Sequence, residues 1–520
     1  MFRQTVLVTA GLLCVAAAPL LADEAEDAFN TQFGDAYRKA IAKTVGNEAV
    51  ALAAKVLEAA QKEGTPPGVA ILFCEKAHEL GIRAPGGYKT AAEAMEIVAD
   101  LAPERGTAAW EKVTEIRRKQ YAAAKPPDKP ASLDSYIESL VQCAAGKIQA
   151  DDPKAEDVKR QVRQTAKPMG TDAVREVEAR LLAAEQHHAA AKSAAELTPK
   201  VGADPKDAAS RNQLVRLLLV DLDDPKKANL YVNESCDEQL RKFLPALAKD
   251  AQATPELAAL DIAKWYVSLS DEAGKDKRDA AKGHMLIRAR RFFNRYLEAH
   301  RKADAASAEV ISALGKLGES LSLLTPAMTV KAVGPGRWVD LAWRVDPARD
   351  TIGGRWQREG KALAGVRDDA LALPCVLDGA YEILATCLVP ERPDCIQMVL
   401  PIAFATVGLS HNHKESNLLR NSRGDSILEG CKRLDAFPLV SGKEFSLGAK
   451  VVHADGQAEI EAVGNGQPFL CWKGQVSTLP RTDEWHLGLP RCPGLIAANC
   501  PLVIKGIQVR MLSGKVRLLR

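Results

Sequence analysis

A change of hydrophobic period partway along the chain constrains its fold more than any other feature. From Ala28 to about Leu324 apolar residues recur every three to four positions, as in the stripe Ala49, Leu52, Ala53, Val56, Leu57 and Ala60. From Val339 onward glycine, proline and two-residue alternation take over: Tyr381, Ile383, Ala385, Cys387 and Val389 alternate with Glu382, Leu384, Thr386 and Leu388. A pattern of period 3.6 does not settle as a strand, nor one of period 2 as a helix. The expected class is therefore α + β multidomain, an all-α helical-repeat region followed by an all-β antiparallel sandwich of jelly-roll type, with the boundary at about residue 325. At 520 residues the chain also exceeds what one ordinary core holds together.

The helical half is punctuated by turn chemistry. Gly81 stops a helix over Val69 to Leu80, and Pro103 closes one over Ala91 to Leu101. The cluster Lys125-Pro126-Pro127-Asp128-Lys129-Pro130 reads as a linker or a sharp turn, with a break near 125–131 as one option. Asp204-Pro205 and Asp224-Pro225 each place an acidic residue before proline, the signature of a capped helix start. Glu256 to Ser270 and Asp279 to His300 form the clearest helix pair, with Trp265 and Tyr266 set to meet Ala289, Phe292, Phe293 and Tyr296. That pair resembles a tetratricopeptide-type unit, and its aromatics are assigned to packing.

In the β half, the run Tyr381 to Val389, the segment Pro390-Glu391-Arg392-Pro393-Asp394 and the run Ile396, Met398, Leu400, Ile402 and Phe404 read as a β-hairpin. Phe445 to Val451 and Ala458 to Val463 flank the turn Ala454-Asp455-Gly456-Gln457, and Gly464-Asn465-Gly466 leads into Phe469 to Gly474. Val503, Ile507, Val509 and Met511 are placed on the inner face of a last strand. Many short strands with frequent turns indicate a sandwich.

Met1 to Ala22 has the layout of a cleaved export signal: Arg3, an apolar run from Val6 to Leu21, then the acidic Asp23 and Glu24. The expected location is the periplasm, cell envelope or extracellular space, with no stable membrane insertion after cleavage. Cysteine use allows two readings at the base of the expected hairpin, a Cys387 to Cys395 bridge or buried thiols. With a net charge of +3, the chain lacks the basic excess that a nucleic-acid partner would need.

One resemblance goes further. The order Asp378-Gly379-Ala380-Tyr381-Glu382-Ile383, a block near Phe445, Trp472-Lys473-Gly474, Trp485 with Leu487-Gly488-Leu489, and Ile507 to Gly514 resembles concanavalin A-like laminin-G or glucanase-type sandwiches. It is similar, more closely, to secreted proteins of planctomycete-type bacteria that join an alanine-rich helical region to such a sandwich. The resemblance implies a fold and a compartment, and assigns no activity.

Candidate site residues follow from chemistry. Glu459 and Glu461 project from one face of a strand, as do the acid pairs of glycosidases, and Asp378 with Glu382 could serve the same reaction; a solvated outer face is the better reading of them. Trp472 is the candidate platform for a sugar ring, with core packing as its alternative. His411, His413, His453 and His486 show no metal-site spacing, and His411 to Asp425 reads as a loop. No cofactor is implied. The leading expectation is a non-enzymatic binding or scaffold protein whose helices meet a protein partner and whose sandwich takes a polysaccharide or envelope component; a hydrolase or lyase and a purely structural protein are the alternatives.

Overall fold

The computed structural model describes residues 9–42, 46–62, 64–204, 206–247, 254–300, 302–403, 405–412, 418–420, 428, 431–433, 439–479, 487, 489 and 491–520, with side chains from residue 23. The chain forms two compact units, Met1–Val177 and Glu178–Arg520.

The first unit is helical. Asn47–Gln61, Pro67–Gly81, Tyr88–Leu101 and Gly106–Ala123 bury their apolar stripes against one another, giving a core around Phe29, Val56, Phe73, Met95 and Trp110. The proline cluster is a turn: Pro126–Asp128 is one 3₁₀ turn that leads into Lys129–Gln149, and Tyr121 stacks on Tyr136 across it with ring centroids 6.3 Å apart. Proline fits there because a first-turn residue has no amide bond to lose. Lys147 reaches Glu111 at 2.6 Å between the same two helices.

The second unit starts helical and changes to strand between Met328 and Lys331. Asp207 caps Ala208–Arg216 by accepting from the Ser210 amide, and Asp224 caps Pro225–Asn229 by accepting from that of Lys227. Between them, Leu217–Asp221 is a π-helical turn, and Asp223, two residues beyond it, has a left-handed φ of 49°. Glu256–Lys275 and Asp279–His300 pack as a pair, with Tyr266 stacked on Phe292 at 6.0 Å.

Two antiparallel sheets form the sandwich. One runs Leu418–Arg420, Ala405–Asn412, Cys395–Ile402, Gly494–Ala497, Asp369–Ala372, Thr351–Gly353. The nine-stranded one runs Lys432–Arg433, Gln467–Gln475, Gln457–Gly464, Glu444–Ala454, Tyr381–Leu388, Leu502–Met511, Ala362–Gly365, Trp356–Glu359, with Trp338–Asp340 also paired to Leu502–Met511. A small third sheet joins Lys331–Val333, Lys515–Leu518 and Cys375–Asp378. The hairpin turns at Asp455-Gly456 and Asn465-Gly466 have positive φ at both positions, the geometry that follows the twist of the flanking strands.

The expected hairpin over Tyr381 to Ala405 is corrected. Tyr381–Leu388 and Cys395–Ile402 belong to different sheets and face each other across the core. Alternation reports that a strand has one buried face and says nothing about which strand lies beside it. The true partner of Cys395–Ile402 is Ala405–Asn412; Phe404 lies outside the described residues. A bulge between Ile504 and Gly506 shifts the phase of the last long strand, so that Ile504, Ile507, Val509 and Met511 point inward and Val503 does not.

The unit has three layers. Tyr381, Ile383, Ala385 and Cys387 meet Ile396, Met398, Leu400 and Ile402 between the sheets. Val399, Ala370, Ala372 and Ile496, on the far face of the smaller sheet, pack into a second core with Met285, Phe292 and Leu321 of the helices. This explains why Cys395–Ile402 is buried on both faces, whereas Tyr381–Leu388 alternates cleanly. Among the described residues no helix is long and apolar enough to cross a membrane.

Candidate functional site

The outer face of the nine-stranded sheet carries most of the expected carboxylates. The register aligns Arg510, Glu382, Lys450 and Glu461 side by side across four strands, so charges alternate along the row. Glu382 accepts from Arg510 Nε at 2.9 Å. Glu459 lies one pleat away, 3.8 Å from Lys473, and both are mostly exposed. Asp378 sits elsewhere, in the small sheet, between the guanidinium groups of Arg491 and Arg517. Among the described residues, neither the cavity beside Asp223 nor the one beside His284 is lined by any of these four carboxylates. The two carboxyl groups of a glycosidase flank the bond they cleave, whereas Asp378 and Glu382 lie in different sheets, each beside an arginine.

Trp472 is corrected as a ligand platform. It is 4% exposed, belongs to the inter-sheet core, and stands opposite Ile460 on the inner face. Gly474 is the neighbour that admits the ring, since a Cβ there would come within 2.5 Å of it. Among the described residues the exposed indoles are Trp343, at 56%, and Trp338. Guanidinium groups already lie over both rings, Arg344 at 4.1 Å and Arg510 at 4.7 Å.

Cys387 and Cys395 are thiols on strands of opposite sheets, which corrects the bridge expected at the base of a hairpin. Burial pushes the Cys387 thiol up to about 12. His411 is likewise corrected from loop to strand: it is fully buried, 5.5 Å from the Phe469 ring centroid. His453 belongs to a different sheet, and His413, Trp485 and His486 lie outside the described residues.

A cavity with ligand-sized room lies where the helical layer meets the start of the β region. It has a volume of about 630 Å³, within the range of small-molecule sites. Tyr266, Arg288 and Phe292 come to it from the paired helices, Asp223 from just beyond the π turn, and Arg349, Arg355 and Trp356 from the segment that opens the sandwich. Asp223 is buried and pairs with both Arg288 and Arg349; Arg288 also donates to the Asp223 carbonyl at 2.9 Å. Burial opposes the Asp223 carboxylate, but the two guanidinium groups hold it below the usual carboxylate range. Burial opposes the Arg288 cation too, and Asp223 outweighs it. Tyr266 is raised to about 12 by burial and stays a neutral phenol. On the β side, the Trp356 ring lies over Gly365, where a Cβ would meet it at 2.8 Å.

Sequence reading passed over this site. Asp223 preceded a recognised cap, and nothing in the pattern linked it to Arg349, more than a hundred positions away. The usable signal was Arg288, Arg290 and Arg291 crowded on a helix that otherwise buries aromatics, with Arg349 and Arg355 flanking a tryptophan segment.

No protein-family model matches the chain, and no curated protein matches it. Among solved structures, a Parabacteroides distasonis protein provisionally described as a glycosyl hydrolase aligns at 11% identity and a TM-score of 0.25, over 34% of this chain and 100% of that one. Peanut lectin aligns at 8% and 0.25, over 36% and 99%. A Lotus tetragonolobus seed lectin aligns at 9% and 0.22, over 37% and 96%. Likenesses at these scores carry no argument about activity. The fold itself rests on the sheets and helices described above: an α + β multidomain chain whose helices precede a two-sheet antiparallel sandwich.

Proposed function

We propose that the protein is an exported, non-catalytic binding protein, and that a carbohydrate or other envelope component seats in the cavity between the paired helices and the first strands of the sandwich. The observation that carries this reading is the 630 Å³ cavity, which several guanidinium groups line over the buried rings of Tyr266, Phe292 and Trp356. Guanidinium groups suit a saccharide there, because its hydroxyl oxygens accept their hydrogen bonds. Binding is preferred over hydrolysis because Glu459, Glu461, Asp378 and Glu382 lie on an open face or beside guanidinium groups. The helical unit Met1–Val177 is left for contact with a protein partner, and export follows from the apolar N-terminus of the sequence.

The test is calorimetric titration of the full chain with a panel of oligosaccharides, with reducing-end release followed in parallel. Saturable binding without release, weakened in Arg291→Gln, is the expected result. Release that disappears in Glu459→Gln or Glu461→Gln would replace this reading with a hydrolase. Absence of both binding and release would favour a structural role.

A further inference from the structure

The charge balance of the cavity narrows its ligand. Five cationic side chains line it, Lys226, Arg288, Arg291, Arg349 and Arg355, against three carboxylates. Those carboxylates are already engaged. Asp223 lies between Arg288 and Arg349. Asp224 accepts the Lys227 amide at 2.8 Å, and Asp346 accepts the Ala348 amide at 2.9 Å, each as a helix cap. Counted over its lining residues alone, the cavity has two more cations than carboxylates, and its carboxylates are turned to backbone or guanidinium partners.

Hydrogen-bond bookkeeping points the same way. Arg349 Nε and Trp356 Nε1 are buried donors with no acceptor among the described residues, and both residues line the cavity. The buried acceptor there without a hydrogen bond, Asp223 Oδ2, is ion-paired to Arg349. Donors are in surplus, and a buried donor left without an acceptor is costly. A ligand that fits supplies acceptors and negative charge.

We infer that the cavity selects an acidic saccharide, one whose carboxylate or sulfate oxygens meet the arginine wall. The inference rests on the binding reading above. Guanidinium groups suit either anion, because their planar N–H fork matches two oxygens of one group. Arg355 and Lys226 are exposed and lie at the rim, where they draw the anion in, whereas Arg288 and Arg349 are held in place by Asp223.

The experiment titrates the full chain with four probes at matched length or charge: a galacturonate tetrasaccharide, a neutral galactose tetrasaccharide, a sulfated galactose tetrasaccharide and inorganic phosphate. One or both acidic tetrasaccharides should bind ~10-fold or more tightly than the neutral one, weakening as salt screens the charges. Which of the two binds identifies the anion. Arg355→Gln, a rim change that leaves the buried pairs intact, should remove most of that preference, and circular dichroism confirms that it folds. Equal affinity for neutral and acidic probes would overturn the anion preference and leave the binding reading standing. Phosphate binding as tightly as the tetrasaccharides would overturn the saccharide component. Binding of none of the four would overturn this inference, and the wider oligosaccharide panel then decides whether the binding reading falls with it.

Discussion

Tyr381 Oη donates a hydrogen bond of 3.0 Å to the carbonyl oxygen of Pro401, from one sheet of the sandwich to the other. Both residues lie in the stretch that alternation alone reads as a hairpin, and the bond is possible because the two runs face each other across the core. Tyr381 is buried, and its hydroxyl is raised well above its ordinary value by burial, so it remains a donor throughout the working pH range. Tyr381→Phe should destabilise the protein by about 1–2 kcal/mol, the usual loss for a buried hydrogen bond whose acceptor is left behind. Urea denaturation measures it; a neutral substitution would contradict the sheet-to-sheet bond.

Asp223 holds Arg288 of the helical layer and Arg349 of the β region on one carboxylate. Asp223→Asn keeps the shape and tolerates the left-handed backbone, so it isolates the charge. It leaves two guanidinium groups buried without their counter-ion and should cost about 3–5 kcal/mol. Tryptophan fluorescence is the suitable probe, because six of the seven tryptophans, all but Trp110, lie in Glu178–Arg520. An unchanged unfolding midpoint would show that the pair contributes nothing to joining the layers.

His284 is buried among Asp223, Arg288, Arg349 and Arg520, and burial lowers its pKa to about 4. In the unfolded chain a histidine binds its proton near pH 6.5. Between those values the unfolded state holds more protons, so stability is full above about pH 6.5 and is lost as pH falls toward about 4. The loss should be on the order of 3 kcal/mol across that window. His300 works in the opposite sense: Glu256 and Asp304 raise its pKa, so its contribution is complete below about pH 6.5 and fades as pH rises through the folded value. Unfolding midpoints from pH 4 to 8 check both, and His284→Gln should flatten the acid limb alone.

Cys387 lies in the inter-sheet core with its thiol held protonated, whereas Cys431 and Cys471 are partly exposed. Alkylation of the native protein should therefore modify Cys431 and Cys471 first and reach Cys387 only after unfolding, because the thiolate is the nucleophile. Peptide mass mapping after timed labelling reads the order. Recovery of a Cys387 to Cys395 disulfide from native protein would contradict the placement of these strands in opposite sheets.

Local chemistry was legible wherever neighbours in the chain are also neighbours in space. The Asp207 and Asp224 caps, the Asp455-Gly456 and Asn465-Gly466 turns, and the Tyr266–Phe292 helix pair all depend on residues a few positions apart or on adjacent helices. The candidate site was poorly legible. Trp472 and His411 looked like surface chemistry because an aromatic or imidazole beside polar residues reads the same whether it points in or out, and sheet register alone decides. Glu382 and Glu461 looked like a catalytic resource until the register placed Arg510 and Lys450 beside them.

By itself the sequence determined the class of each half, because hydrophobic period is set by backbone geometry, 3.6 residues per turn in a helix and two per repeat in a strand. It determined the turns and caps for the same reason. The tertiary structure alone decided that Tyr381–Leu388 and Cys395–Ile402 face each other instead of pairing, and that helices cover the far side of the smaller sheet. It also decided that Asp223, Arg288, Arg349 and Trp356 meet at one cavity. Those contacts join residues tens to more than a hundred positions apart, and nothing in the local pattern of a chain carries the free energy of a contact made only after the layers have closed.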